Sequence, residues 1–314
     1  MGGLARRKTL VAEARRKGPV LLVDSGNALF KFPGIEDAPA RARARFILDA
    51  MGRMQTAALA VGEKDLNAGP GWLAEAAKAA RVQLLSANLE DARRRRVFPG
   101  STVVYAGGLQ LGLVGLTAPG KHGVLLAGPL LPAVRAQVAA LRAKKVDAVL
   151  VLAAVPYGEA LELTRVLGAE VELVIQSHEG RGPNGPQAVG EGWLISSPDR
   201  GRGVGQLQLQ LSGTGKLRDA GELTRDRAAL EHLDGQVAEV KRRLAAAAAP
   251  DVKAGLKNAL AGFEQRRGEL RGRLGRPGQG RWFELSYLSL GPDVESDPGL
   301  KAEAAKLEIP PGLH

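Results

Sequence analysis

The sequence predicts a layered α/β sandwich that carries an appended antiparallel α-helical hairpin. Two observations favour this class. Over the first two thirds of the 314 residues, short apolar runs of strand character alternate with Ala-rich stretches of helical character. From Asp219 onward, apolar residues instead recur every seven residues with intermediate three-residue steps, which is typical of a helix that buries one narrow seam. The 45% content of hydrophobic residues is sufficient for one sizeable core.

The individual elements follow from these apolar runs. Strands are predicted at 20–23, 57–61, 83–86, 102–105, 109–116, 148–153, 173–175, 192–196 and 205–211. Helices are predicted at 4–17, 40–52, 71–80, 133–144 and 158–167. Gly107-Gly108 between two predicted strands indicates a β-hairpin. The runs at 20–23 and 57–61 are too continuously apolar for strands with one solvated face, so we expect both to be central strands.

The last third of the chain predicts two helices that fold back on each other. The first seam consists of Leu223, Leu230, Leu233, Val237, Val240 and Leu244. After an interruption at Pro250-Asp251, the second seam consists of Leu256, Leu260, Phe263, Leu270 and Leu274. Residues 282–290 alternate apolar and polar side chains, as an edge strand does. We therefore expect an α/β domain at 1–215, a coiled-coil-like hairpin at 216–275, and an edge strand with a C-terminal tail at 276–314.

Composition excludes several classes of function. The absence of cysteine rules out disulfides, thiolate metal sites, cysteine nucleophiles and covalently attached haem on this chain. The net charge of +11 and the run of four arginines at Arg93–Arg96 suggest polyanion binding, but basic residues are scattered along the whole chain and aromatic residues are only 4%. We interpret the charge as solvated surface and expect no specific nucleic-acid partner. No apolar run is long enough to predict a membrane span.

Five short motifs occur in an order that is typical of one known family. The stretch "VLLVDSGNALF" resembles a strand that ends in the family's Asp-Ala-Gly-Asp metal motif, with Asp24 at its first position. "AALAVGEKDL" is similar in place to the Gly-Asn-His-Glu motif, and "LLSANLE", which contains Asn88, is similar to the Ser-Ala-Asn strand. "DAVLVLAAVP" and "ELVIQSHEG" are similar to the strand that ends in Ser-His and to the Gly-His-Thr-His turn. In this order the motifs resemble those of the calcineurin-like metallophosphoesterases, in particular the 5'-nucleotidase branch. The resemblance spans about residues 2 to 211 and implies the family's sandwich fold.

Relatives of this kind use two divalent cations to hold a phosphate and to generate a hydroxide. Position by position, the resemblance implies that most ligands are replaced. Asn27 stands where the bridging Asp is expected, Glu63 stands for a metal-binding Asn, and Lys64 stands for a His. Ala154 and Gly180 fall where His ligands are expected, whereas His178 keeps the family's residue type. Asn27, Glu63 and His178 are therefore the vestigial metal positions, and Asp24, Lys64, Asp65, Asn88, Ala154 and Gly180 are further motif positions.

Two hypotheses about function follow from these replacements. The first is a non-catalytic binding or scaffold protein whose dinuclear site is largely lost and which needs no cofactor. Such a protein would bind a partner through the helical hairpin or through the old cleft. The second is a metal-dependent phosphoric ester hydrolase of the 5'-nucleotidase type with divalent metal ions as cofactor. Its site would be an unusual or mononuclear one around Glu63, Asp65 and His178, or one that upstream residues complete. A turn held by salt bridges is a third interpretation of the segment Glu63–Asp65.

The family's first motif, Asp-X-His after a strand, should precede residue 2. We therefore expect the natural product to extend upstream of Met1. The sequence as given has no signal peptide and predicts a cytoplasmic protein, whereas an upstream extension with an export signal would make it periplasmic or exported.

Overall fold

The computed structural model describes residues 2–34, 37–177, 185–196, 201–213, 215–274 and 280–307. The helices are α1 (Gly2–Lys17), α2 (Ala38–Arg53), α3 (Pro70–Ala80), α4 (Leu130–Ala143), α5 (Tyr157–Leu167), α6 (Ala220–Ala246), α7 (Pro250–Leu274) and α8 (Pro298–Lys306). The strands are β1 (Leu22–Asp24), β2 (Thr56–Ala60), β3 (Gln83–Leu85), β4 (Leu89–Glu90), β5 (Ser101–Ala106), β6 (Leu109–Thr117), β7 (Gly120–His122), β8 (Leu125–Ala127), β9 (Ala148–Ala154), β10 (Leu173–Gln176), β11 (Gln187–Val189), β12 (Gly192–Ser196), β13 (Gly203–Gln210), β14 (Arg218–Asp219) and β15 (Trp282–Ser289). Among the described helices, none combines the length and the apolar character that crossing a membrane requires.

Two sheets form the centre of the sandwich. The first has the order β1-β2-β3 with all strands parallel, and the second has the order β11-β12-β10-β9-β6-β5. Helices α2 and α3 contribute to the apolar cluster on the first sheet, and α4 and α5 contribute to the cluster on the second. Strands β2 and β3 contact β6, so the two sheets pack on each other. The predicted layered α/β fold is confirmed.

Local sequence explains the inner elements. All seven residues of β9 are buried, as its uninterrupted apolar sequence requires of a parallel strand with covered faces. Helix α4 buries Leu130, Val134, Val138 and Leu141 at helical spacing. Gly107 and Gly108, with φ of +59° and +80°, form the two-residue turn between β5 and β6. The predicted β-hairpin is therefore confirmed.

Two strand predictions are wrong in position. Strand β1 pairs only with β2 among the described strands, so the run at 20–23 lies at an edge and its residues stay half-buried. Strand β15, predicted as an edge strand, lies between β13 and β14. In both cases the pattern of apolar side chains along the strand does not report which backbone edges are paired.

The chain divides into two compact units, Met1–Gln206 with Ser286–His314, and Leu207–Leu285. In the second unit α6 and α7 pack against each other and bury Leu233, Val237, Val240 and Leu270. Ion pairs between the two helices follow an antiparallel order, because partners in α7 come earlier as residues in α6 come later: Asp226 to Arg273 at 3.0 Å, Asp234 to Arg267 at 2.7 Å, and Lys241 to Glu264 at 2.9 Å. The predicted antiparallel helical hairpin is confirmed. The predicted domain limits stay a prediction, because compactness in the folded chain does not measure independent folding.

Candidate functional site

The candidate site lies where the carboxyl ends of parallel strands from both sheets meet. Gly26, in the loop after β1, has a φ of +104°. A Cβ at Gly26 would lie 2.5 Å from the carbonyl oxygen of Ala60 and 2.8 Å from the Cβ of Ala154. This loop therefore rests directly on the ends of β2 and β9, and only glycine leaves room for that approach. Ala154, where the resemblance expects a His ligand, is fully buried beneath it.

Asp65 holds the loops of this edge together. It lies in a short 3₁₀ turn, Lys64–Leu66, and its side chain is fully buried. Its Oδ2 accepts hydrogen bonds from the backbone N–H of Asn27 at 2.8 Å and of Gly62 at 2.9 Å, and its Oδ1 accepts one from the N–H of Leu29 at 2.9 Å. We call this arrangement, Asp65 with the N–H groups of Asn27, Leu29 and Gly62, the Asp65 clasp.

Two opposing effects set the pKa of Asp65. Burial disfavours the charged carboxylate and raises its pKa to about 6, and the nearby Asp24 charge acts in the same direction. The three N–H bonds of the Asp65 clasp stabilise the charged form and lower the pKa. Desolvation dominates, so the clasp binds a carboxylate that is costly to ionise.

Asn27 is also committed to this local structure. Its backbone has a φ of +58°, which Asn tolerates better than most residues. Its side-chain Oδ1 accepts a hydrogen bond from the backbone N–H of Lys64 at 3.0 Å. Its Nδ2 is buried and has no hydrogen-bond partner among the described residues. A Cβ at Gly62 would lie 2.2 Å from the Asn27 Oδ1, so the two loops are in close contact.

Asp24 ends β1 beside the Asp65 clasp. Its Oδ1 accepts a hydrogen bond from the N–H of Gly26 at 3.0 Å, and its Oδ2 lies 3.8 Å from the Nη1 of Arg7 on α1. Burial raises the pKa of Asp24, while the Arg7 guanidinium and the Gly26 N–H oppose that rise. Arg7 therefore places a positive group beside this carboxylate. Sequence reasoning missed Arg7, because no motif marks it.

The remaining predicted positions have separate surroundings. Glu63 is partly exposed just before the 3₁₀ turn, and Lys64 is 7% exposed within it. Asn88 is buried; its Nδ2 donates to the carbonyl oxygens of Thr117 and Gly128, and its Oδ1 accepts from the N–H of Thr117 at 3.0 Å. Asn88 is thus a structural link between loops. His178 and Gly180 lie outside the described residues.

Two hydroxyl side chains at this edge were not predicted from the sequence. Thr117, at the end of β6, donates from its Oγ1 to the carbonyl oxygen of Val61 at 2.6 Å. Ser177, just after β10, donates from its Oγ towards the carbonyl oxygens of Ser25 at 2.6 Å and Gly26 at 2.9 Å. Their position directly after parallel strands was a usable signal, because the ends of such strands meet at one edge.

The described residues do not fit a pair of divalent cations. A metal needs several converging lone pairs on oxygen or imidazole nitrogen. Here the Asp65 carboxylate accepts three N–H groups, the Asn27 oxygen accepts a fourth, and Ala154 offers a methyl group. Over the described part of the chain, no three His, Asp or Glu side chains are grouped as a metal would require. What these residues do instead is fix three loops to one another.

Comparison with solved structures defines the class of fold. The chain has a mixed α/β fold that matches metallophosphoesterases, both 5'-nucleotidases and calcineurin-like phosphoesterases. No protein-family model matches the sequence, and no curated protein matches it.

Three particular structures illustrate the match. The 5'-nucleotidase precursor from Thermus thermophilus is 28% identical with a TM-score of 0.55, and the match covers 66% of this chain and 45% of that one. The calcineurin-like phosphoesterase YfkN from Bacillus subtilis is 11% identical with a TM-score of 0.59, covering 96% of this chain and 87% of that one. The sulfate thiohydrolase SoxB from Thermus thermophilus is 17% identical with a TM-score of 0.56, covering 66% and 40%. The chain thus spans less than half the length of the nucleotidase and of the thiohydrolase.

Proposed function

We propose that this chain is a divergent, non-catalytic member of the metallophosphoesterase fold class that acts as a binding or scaffold protein. The Asp65 clasp carries this proposal. A carboxylate at the edge where the resemblance places two metals accepts three backbone N–H groups, at 2.8, 2.9 and 2.9 Å. Lone pairs used in this way are not offered to a cation.

Packing at the strand ends supports the same proposal. The Gly26 loop packs so closely on Ala60 and Ala154 that even a Cβ at position 26 would clash with them, at 2.5 and 2.8 Å. The amide of Asn27 offers a neutral oxygen that already accepts the Lys64 N–H, where a bridging carboxylate would supply a negative charge. Both features favour a rigid edge over a reactive one.

A turnover assay tests the loss of hydrolysis. The purified full chain is incubated with Mn²⁺, Zn²⁺ or Mg²⁺ and with an aryl phosphate or nucleoside monophosphates. We expect no hydrolysis above that of a double variant, Glu63→Ala with His178→Ala, purified in the same way. Metal-dependent hydrolysis that this double variant abolishes would contradict the proposal.

One observation favours a second candidate function. Asp24 and Asp65 lie close enough for the charge of one to raise the pKa of the other, and the partly exposed Glu63 is two residues from Asp65. Neighbouring carboxyl groups with raised pKa values, such as Asp24 and Asp65, are typical of functional sites. Together with the 28% identity to a 5'-nucleotidase precursor, this supports a metal-dependent phosphoesterase with divalent ions as cofactor. The same turnover assay decides between the two candidates.

A protein partner for the helical hairpin stays a prediction. The hairpin has a groove of about 440 Å³ lined by Glu231, His232, Gly235, Gln236, Glu239, Val240 and Phe263. Its lining is mostly apolar and includes two glutamates. These features support a protein contact on the hairpin.

A further inference from the structure

Strand β5 has an open backbone edge. It is the last strand of its sheet, and its six residues, Ser101–Ala106, pair one-to-one with β6 without a bulge. Among the described strands, none pairs with its other side. We propose that two copies of this chain associate through this edge, with β5 antiparallel to its own copy.

The pairing pattern identifies the backbone groups that are available. In an antiparallel pair, residues that exchange hydrogen bonds with the neighbour alternate with residues whose N–H and C=O point away. A two-residue turn makes the flanking residues, Ala106 and Leu109, a hydrogen-bonded pair. At the far end, the N–H of Gly115 donates to the carbonyl oxygen of Gly100 at 3.1 Å, which fits the same alternation. The outward groups are therefore those of Ser101, Val103 and Tyr105.

The sequence of β5 does nothing to protect this edge. Sheets usually block edge strands with charged side chains, proline, bulges or very short length. Strand β5 reads Ser-Thr-Val-Val-Tyr-Ala and has none of these features. By contrast, β11 at the other end of the sheet is only three residues long. An unprotected edge of this kind pairs readily with another strand.

Symmetry favours a second copy as the partner. A two-fold axis at Val103 places Val103 opposite its own copy and places Ser101 opposite Tyr105. All three outward residues then belong to hydrogen-bonded pairs, which gives about six backbone hydrogen bonds across the axis. The contact uses the same patch on both chains, so it closes as a dimer and does not propagate.

Side chains support the same arrangement. Tyr105 is 73% exposed in the single chain, which is unusual for a large aromatic residue on a strand. In the dimer its ring lies beside the small Ser101 of the copy, and β-branched side chains face each other at the axis. Such cross-strand pairs stabilise sheets. A contact confined to one strand is small, so we expect a dimer that forms reversibly with concentration.

This proposal can be tested by sedimentation equilibrium of the full chain. The protein concentration is varied from low micromolar to several hundred micromolar. We expect a reversible monomer–dimer equilibrium for the wild type. Val103→Lys or Val103→Asp alone should weaken the dimer at least tenfold, because like charges meet at the axis. An equimolar mixture of the two variants should restore it. Val124→Lys, at a valine that is 78% exposed, should leave the wild-type equilibrium unchanged. Thermal unfolding of each variant shows whether it is folded.

Cross-linking gives a second readout that tolerates small changes in stability. The chain has no cysteine, so a single introduced thiol reports its own contacts. In a hydrogen-bonded pair the two Cα atoms are about 5.5 Å apart, which suits a disulfide. Val103→Cys should give a covalent dimer under mild oxidation, whereas Val124→Cys should stay monomeric. A monomeric wild type at every concentration, or no difference in cross-linking, would overturn the proposal. So would a dimer that survives both charged Val103 variants.

Discussion

Asp65 shows how one buried carboxylate determines the local chemistry of the strand ends. Its three N–H bonds are short enough to be strong, at 2.8 to 2.9 Å, and yet burial keeps its pKa near 6. Removing the side chain would leave the N–H groups of Asn27, Leu29 and Gly62 without their acceptor. Unpaired buried N–H groups cost free energy, so this residue is needed for structure whatever else it does.

The pH dependence of stability tests this description of Asp65. The folded-state pKa of about 6 lies above the reference value of 3.8, so the folded chain holds this proton more tightly. The resulting stabilisation is complete below the reference pKa and is lost as the pH rises through the folded pKa, by up to about 3 kcal/mol. Urea unfolding at a series of pH values should therefore show the wild type losing free energy of unfolding relative to Asp65→Asn between about pH 4 and pH 7. A difference that is constant over this range would show that the carboxylate is not desolvated.

The sequence predicted which residues lie at the candidate site, but it did not predict the hydrogen bonds between them. Motif order identified Asp24, Asn27 and Asp65, and parallel strands brought them to one edge. The hydrogen bonds between Asp65 and the 27–29 loop join residues 36 to 38 positions apart, which no local pattern encodes. Arg7 was not predicted either, because its partner Asp24 belongs to a different element.

At the scale of elements, predictions succeeded where the signal is local. The seven-residue repeat predicted α6 and α7, and Gly107-Gly108 predicted the β5–β6 hairpin. Pairing partners were harder: β1 lies at an edge and β15 lies between two strands. Strand order depends on which apolar faces find each other over long sequence distances, and apolar periodicity alone does not determine it.

The seam of the helical hairpin can be tested by one substitution. Leu233 is 5% exposed between α6 and α7, so Leu233→Asp forces a carboxylate into an apolar contact and should destabilise the hairpin by several kcal/mol. We expect loss of helical circular dichroism and faster proteolysis within 220–274, while the α/β unit stays folded. Ala238→Asp, at an exposed position of the same helix, is the matched control. Equal behaviour of the two variants would show that the seam at Leu233 is not buried.

At the scale of the whole molecule, the net charge and the fold are separate properties of the chain. The chain carries a net charge of +11, and at the strand ends one of its cations, Arg7, lies beside a carboxylate that the resemblance assigns to a metal motif. The fold is that of the metallophosphoesterases, as the solved structures show. A fold hosts many functions, so the site residues must decide what this chain does.

Metal content after equilibrium dialysis decides most directly whether the strand ends form a clasp or a metal centre. The purified full chain is dialysed against Mn²⁺, Fe²⁺ or Zn²⁺, then against metal-free buffer, and analysed by elemental mass spectrometry beside a variant with Asp24→Asn and Glu63→Ala. Because three N–H groups bind the Asp65 carboxylate and one binds the Asn27 oxygen, we predict no stoichiometric metal in the wild type and no difference between the two proteins. About two ions per wild-type chain, lost in the variant, would contradict the clasp and establish a dinuclear centre.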